Sequence, residues 1–253
     1  MNNNLTIKDI RQYFVDELEY ENFTTDRSGS KTIELLGASF IADEPSIFGE
    51  PNNEYIDAEL DWYLSQSTNI NTLAKIYGRS PVAWQYSAND FGEINSNYGH
   101  LVYSEKYYNQ FNNALQELLK NPDSRRAQMV YNRPSIWVEH NENGKNDFIC
   151  TNAQTFYIRD NKLHMVSQMR SNDAWAGFRN DYAWAKFLMR DMVNQYNLSL
   201  HLEDSFGEIL TVGNLYWQVM NLHVYERNFY LVDHFAKTGS INISKSDYAG
   251  DWK

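Results

Sequence analysis

"FICTNAQTFYIRDNKLHMVSQMRSNDAWAGFRNDYAW", residues 148–184, decides how this chain is read. "DFICTNAQTFYIR" and "NKLHMVSQMR" interleave β-branched and aromatic residues with polar ones, the pattern of half-buried strands. Between them "RDNK" (159–162) is a hairpin turn, because Asp and Asn tolerate the left-handed backbone that a two-residue loop demands. Over residues 181–194 the apolar period lengthens to that of a helix, with Trp184, Phe187, Leu188 and Met192 inward. Strand, turn, strand and helix follow one another without regular βαβ alternation, which predicts an α+β fold with a mixed sheet and flanking helices.

Outward from this stretch the same reading continues. Residues 7–21 predict a first helix, and "KTIELLGASFIA" a buried strand with Ile33, Leu35 and Leu36 ahead of Gly37. "NEYIDAELDWYLSQ" is helical, with Ile56, Leu60 and Tyr63 or Leu64 at three- and four-residue steps. Ser104 is placed to cap a helix whose stripe is Tyr107, Tyr108, Phe111, Leu115, Leu118 and Leu119, ended by Asn121-Pro122. "RRAQMVYN" and "EILTVGNLYWQVMNLHVY" read as extended, and "ERNFYLVDHFAKTG" as a helix ending near Gly239. No repeat, linker or composition break divides the chain, so residues 1–253 are expected to form a single domain.

Composition bounds the function. With 253 residues, 42% apolar and 22% charged, the chain is long enough for a large core. Its net charge of −11 argues against gripping polymeric nucleic acid, which needs Lys and Arg against phosphates. A small phosphorylated ligand needs only a few converging arginines. One cysteine, Cys150, allows no internal disulfide, which fits a reducing compartment. The N-terminus has neither a basic start nor an apolar core, and no stretch reaches the length of a membrane span. A cytoplasmic protein with no membrane contact is expected.

Single motifs are weak here. The two glycine-rich nucleotide cradles are absent, "SGSK" (28–31) lacks the partner motifs of a Ser-Lys hydrolase, and the six histidines form no metal-ligand pair, so no metal is expected. Cys150 alone reads as a small apolar residue on a strand; a reactive thiolate would need nearby positive charge. Arg27, the pair Arg125-Arg126 and Arg170 are candidates to provide it. His223 and Tyr225, two apart on a strand, face one way. Asp181, locally, reads as a helix N-cap, with Asn180 an alternative cap.

The order of these motifs carries more than any one of them. "TTDRSGSKTIELLG", "AELDWYL", "NYG", "PDSRRAQMVYN", residues 148–184 and "LHVY" resemble, in order and spacing, the thymidylate synthase family from about residue 26 to 225. "GASFIADEPSIFG" and "NISKSDYAG" resemble the phage branch of that family that acts on deoxycytidylate. The resemblance implies a thymidylate synthase-like α+β fold, 5,10-methylenetetrahydrofolate as co-substrate, and a nucleophilic Cys150 that adds to C6 of a pyrimidine nucleotide and makes C5 a carbon nucleophile. It implies that Arg27, Arg125, Arg126 and Arg170, with Ser171, hold the 5′-phosphate. In the family the Arg125-Arg126 pair crosses from the other subunit of a homodimer. His223 and Tyr225 correspond to residues that bond the deoxyribose 3′-hydroxyl, Glu59 to the glutamate that organises water and proton transfers, and Tyr98 to the tyrosine near the C5 proton. Trp84, Asp173 and Gly177 fall at folate-site positions.

Departures from the synthase pattern sharpen the expectation. Thr151 stands where a histidine often follows the nucleophile, and "GFRND" replaces "GLPFN". "DYAGDWK" lacks the apolar tail that excludes water in the synthases, so water is expected as the terminal nucleophile. Asp181 stands where the synthases have asparagine. A carboxylate accepts from the cytosine N4 amino group and cannot donate to uracil O4. A charged hydrogen bond made or frustrated there is worth about ten- to a hundredfold. The expected substrate is therefore dCMP and the expected product 5-hydroxymethyl-dCMP, made in the cytoplasm of an infected bacterium, with a place in a phage nucleotide-synthesis complex. The rivals are a dUMP-using synthase or hydroxymethylase and a non-catalytic nucleotide-binding or assembly protein.

Overall fold

The computed structural model describes residues 5–202 and 209–243. In chain order, β1 (Leu5–Thr6) leads into α1 (Ile7–Glu19), then β2 (Thr24–Thr25) and β3 (Lys31–Ile41). Five helices follow, α2 (Asn53–Leu64), α3 (Ile70–Tyr77), α4 (Val82–Ser87), α5 (Tyr98–Tyr103) and α6 (Gln110–Lys120). Then come β4 (Gln128–Val130), α7 (Ile136–Glu139), β5 (Thr151–Arg159), β6 (Lys162–Met169) and β7 (Asn172–Asp173). The described chain closes with α8 (Ala176–Leu202), β8 (Thr211–Tyr225) and α9 (Phe229–Thr238). The α+β class with a mixed sheet and flanking helices is borne out.

Packing divides the chain into two compact units, each assembled from separated stretches. The first takes residues 1–51, 169–185 and 214–253. Its β3 pairs antiparallel with β8 (Ile33 opposite Val224, Phe40 opposite Trp217) and parallel with β1, while β7 runs parallel to β8. Ala38 and Phe40 on β3, two apart, and their partners Val219 and Trp217 on β8 are all buried, as strands with a covered face require. The opening residues of α8 cover that face through Phe178, whose ring lies 5.2 Å from Trp217 and 6.1 Å from Phe40. Asp9 closes the start of α1 by accepting from Thr6 N at 2.7 Å, and buried Arg11 grips the Glu44 carboxylate with two bonds of 2.7 and 2.9 Å.

The second unit takes residues 52–168 and 186–213. Here β5 lies between β4 and β6, and the β5–β6 turn has Asp160 and Asn161 at φ 50° and 55°, as the sequence predicts. Three helical expectations shift. The buried stripe of α2 is Ala58, Glu59, Trp62 and Tyr63: of the expected stripe Tyr63 is buried, but Ile56 and Leu60 are only half-buried and Leu64 is exposed, because the large aromatics take the core face. The helix expected to be capped by Ser104 starts five residues later, capped by Asn109, which accepts from Asn112 N; Tyr108 has left-handed backbone and is 81% exposed. The first helix ends at Glu19 rather than residue 21, since Glu21 adopts a positive φ. The final helix does stop at left-handed Gly239.

Candidate active site

In the second unit Tyr55 and Glu59 stand one turn apart on α2 and so share a face. The Tyr55 hydroxyl donates to Glu59 Oε1 at 2.5 Å, and Trp84 Nε1 on α4 donates to the same oxygen at 3.0 Å. The Glu59 side chain is 5% exposed. Burial pushes its carboxyl up to about 7, against the two hydrogen bonds that favour the charged form. The same burial, and the charge of Glu59 next, drive the Tyr55 phenol well above its ordinary range. A carboxyl poised near neutrality can hold or release a proton at physiological pH.

Cys150 lies immediately before β5 and is half-buried, its Sγ 3.8 Å from the Phe148 carbonyl. The next residue, Thr151, is buried and its hydroxyl donates to the Tyr98 hydroxyl at 3.0 Å. Three residues before the thiol, Asp147 accepts from Asn95 N (2.6 Å), Ser96 N (2.8 Å) and Ser96 Oγ (2.6 Å). Asn97 donates in turn to the carbonyls of Trp62 and Ser67 at 3.0 and 2.9 Å and caps α5. Residues 95–98 therefore tie the loop bearing Cys150 to the helix end that follows Glu59. A Cβ at Gly99 would lie 1.8 Å from the Tyr63 carbonyl oxygen, so only glycine lets α5 approach α2 this closely.

In the first unit Arg170 and Ser171 follow the end of β6, and the chain then runs through β7 beside β8, placing Asp173 opposite His223. The Ala174 amide donates to the His223 carbonyl at 2.8 Å, and Asp173 Oδ1 accepts from Trp175 N at 2.8 Å. The carboxylate expected at the folate thus also closes the turn into α8. His223 is buried, with its ring edge-on to Tyr225 at 4.9 Å. Burial lowers its pKa against the pull of Asp173, Asn221, Glu34 and Asp26. Its Nδ1 lies 3.1 Å from Asn221 Oδ1; with the proton there, the neutral ring offers Nε2 as an acceptor. Arg27 is exposed at the β2–β3 turn, which Asp26 braces by accepting from Ser28 N and Ser30 N.

Asp181 is not a helix cap. Helix α8 begins at Ala176, five residues before the expected start, so Asp181 and Asn180 both lie inside it. Gly177, Asn180 and Asp181 are poor helix formers; burial of Phe178 on the sheet overrides that preference. Asp181 Oδ2 accepts from Asn172 Nδ2 at 2.8 Å, and Asn172 Oδ1 accepts from Trp217 Nε1 at 3.3 Å. A Cβ at Gly177 would come within 3.1 Å of that Asn172 nitrogen and 3.7 Å of Asp181 Oδ2, so the glycine leaves room for the pair.

Arg125 and Arg126 are exposed, and Arg126 is tied within its own chain to Glu117 Oε1 by bonds of 3.0 and 3.1 Å. Two site neighbours escaped the sequence reading, Tyr55 and Asn172. Tyr55 was legible in its four-residue spacing from Glu59; nothing local distinguished Asn172. Within "NISKSDYAG" only the first two residues are described, and "DYAGDWK" lies outside the described residues. Among the described residues no helix is long and apolar enough to cross a membrane, and no group of His, Cys, Asp or Glu could hold a metal ion.

The thymidylate synthase family model matches residues 18–240. Over its full length the chain is 46% identical to the deoxycytidylate 5-hydroxymethyltransferase of Enterobacteria phage T6, covering all of that protein, and 46% identical to its counterpart in phage T4, covering 99% of it. A thymidylate synthase of Francisella tularensis is 26% identical over 80% of this chain and 74% of its own length. A family match spanning most of the chain, and 46% identity along its full length to relatives of the same kind, lead to one assignment: this chain belongs to the thymidylate synthase family.

Proposed function

We propose that this enzyme hydroxymethylates C5 of dCMP with methylenetetrahydrofolate as one-carbon donor. The observation that carries the choice of base is Asp181, a carboxylate held inside α8 by Asn172, where helix capping gives it no purpose. Full-length likeness to the phage enzymes supports the same reading.

In this reading the Cys150 thiolate adds to C6, and the electron pair of the C5=C6 bond moves to C5. The folate, when bound, supplies the one-carbon unit at the oxidation level of formaldehyde. The residues suit such a group: Trp84 is half-buried beside Glu59, and Val82, Tyr86 and Phe91 leave apolar surface exposed along the same stretch. C5 bonds to the one-carbon unit, and its own proton leaves beside the Tyr98 hydroxyl that Thr151 fixes. The carbon–nitrogen bond breaks with its electron pair and a proton going to the departing tetrahydrofolate, which leaves a methylene at C5. Glu59, near neutrality, positions the water that adds to the exocyclic methylene at C5, and expulsion of Cys150 restores the ring. His223 and Tyr225 take the 3′-hydroxyl, and Arg27, Arg170 and Ser171 take the phosphate with Arg125 and Arg126 of the partner subunit in a homodimer. The enzyme works in the cytoplasm of the infected host, within a nucleotide-synthesis complex.

Steady-state kcat/KM for dCMP and dUMP, with analysis of the product, tests this. A preference for dCMP and release of 5-hydroxymethyl-dCMP are expected; a preference for dUMP overturns the reading. Asp181→Asn should move the dCMP/dUMP ratio towards dUMP by about ten- to a hundredfold.

A further inference from the structure

We infer that Asn172 is a specificity-determining positioning residue, which keeps Asp181 an acceptor and so fixes the choice of base. The inference rests on the reading of Asp181 as the base-selecting group. Its physical core is the directionality of a buried chain, Trp217 to Asn172 to Asp181. An indole N–H can only donate, so the Asn172 oxygen must face Trp217. The amide nitrogen is then forced towards Asp181, where it donates at 2.8 Å. Rotating the amide by half a turn would set donor against donor at Trp217 and oxygen against carboxylate at Asp181. Trp217 is fully buried and Asn172 is 4% exposed, so water does not readily replace either bond.

Two consequences follow for the base. Asp181 Oδ2 is engaged by a donor, which stabilises the carboxylate and holds its rotamer. In Asp181→Asn the same donor would turn the new amide's oxygen inward, leaving its NH2 for the base, which suits uracil O4. Asn172 thus reads out the difference between a carboxylate and an amide at residue 181. Gly177 supports the arrangement, because any side chain there would crowd the Asn172 nitrogen.

The test is the ratio of kcat/KM for dCMP over dUMP in Asn172→Ala, Trp217→Phe, Asp181→Asn and the Asn172→Ala/Asp181→Asn double variant. Loss of folded protein cancels from a ratio, so a merely structural role would not move it. Asn172→Ala should lower the ratio by about tenfold or more, the loss of a bond to a charged group. Trp217→Phe, which frees the amide to rotate, should lower it less, in the same direction. The double variant should gain less dUMP activity than Asp181→Asn alone. Should Asn172→Ala fail to fold, Trp217→Phe decides. A ratio unchanged by Asn172→Ala, or by Trp217→Phe where it decides, while Asp181→Asn shifts it, overturns the role of Asn172 alone. A ratio unchanged by Asp181→Asn removes the base-selection reading itself.

Discussion

Glu59 shows how a single buried group links chemistry to stability. Its carboxyl is pushed up to about 7 from the ordinary 4.5, so between those values the folded chain holds a proton that the unfolded chain has lost. Stability therefore falls as pH rises from 4.5 to 7 and is level above that, a change of about 3 kcal/mol in all. Glu59→Gln should remove this slope, melting like the parent near pH 4.5 and at higher denaturant near pH 8; urea unfolding at the two pH values checks it. Its product formation should drop by about a hundredfold or more. Cys150→Ala should abolish tritium release from C5-labelled dCMP, and full residual release would exclude a covalent adduct. The residues for these experiments were legible because the family's motifs name them in order. Asn172 is not legible, because what matters there is hydrogen bonds to Asp181 and Trp217, 9 and 45 residues away, which no local pattern encodes.

At the scale of the element, the misreadings share a cause. Local preference misplaces the α8 start and part of the buried face of α2, which packing sets through Phe178 on the sheet and the rings of Trp62 and Tyr63, and it misses the left-handed pair Tyr108 and Asn109 that delays α6. The β5–β6 turn and the end of α9 were legible because turn chemistry and a glycine stop act locally. Helix α5 lies close against α2 at Gly99. Gly99→Ala drives a Cβ into the Tyr63 carbonyl at 1.8 Å, and no side chain rotation relieves a backbone clash. The expected cost exceeds about 3 kcal/mol, the upper end of ordinary overpacking, and a thermal melt reads it.

For the whole molecule, the proposed exchange of Arg125 and Arg126 between subunits predicts complementation. Cys150→Ala chains and Arg125→Ala/Arg126→Ala chains should each be inactive alone. Mixed and re-associated in equal amounts, they should recover about a quarter of the parent activity, since half the dimers carry one intact site. No recovery from mixtures shown to exchange subunits would place both arginines in their own chain's site. The net charge of −11 sets a second constraint at this scale, leaving local arginine clusters as the means of holding a phosphate. The pairing of β3 with β8 carries a consequence for synthesis on the ribosome. Ile33 waits for Val224, about 190 residues downstream, which at ordinary elongation rates is on the order of ten to forty seconds. Through that interval the edge of β3 that β8 covers has no partner strand. The nascent chain is then most open to chaperones and to aggregation, and any stall before residue 216 leaves that strand edge bare.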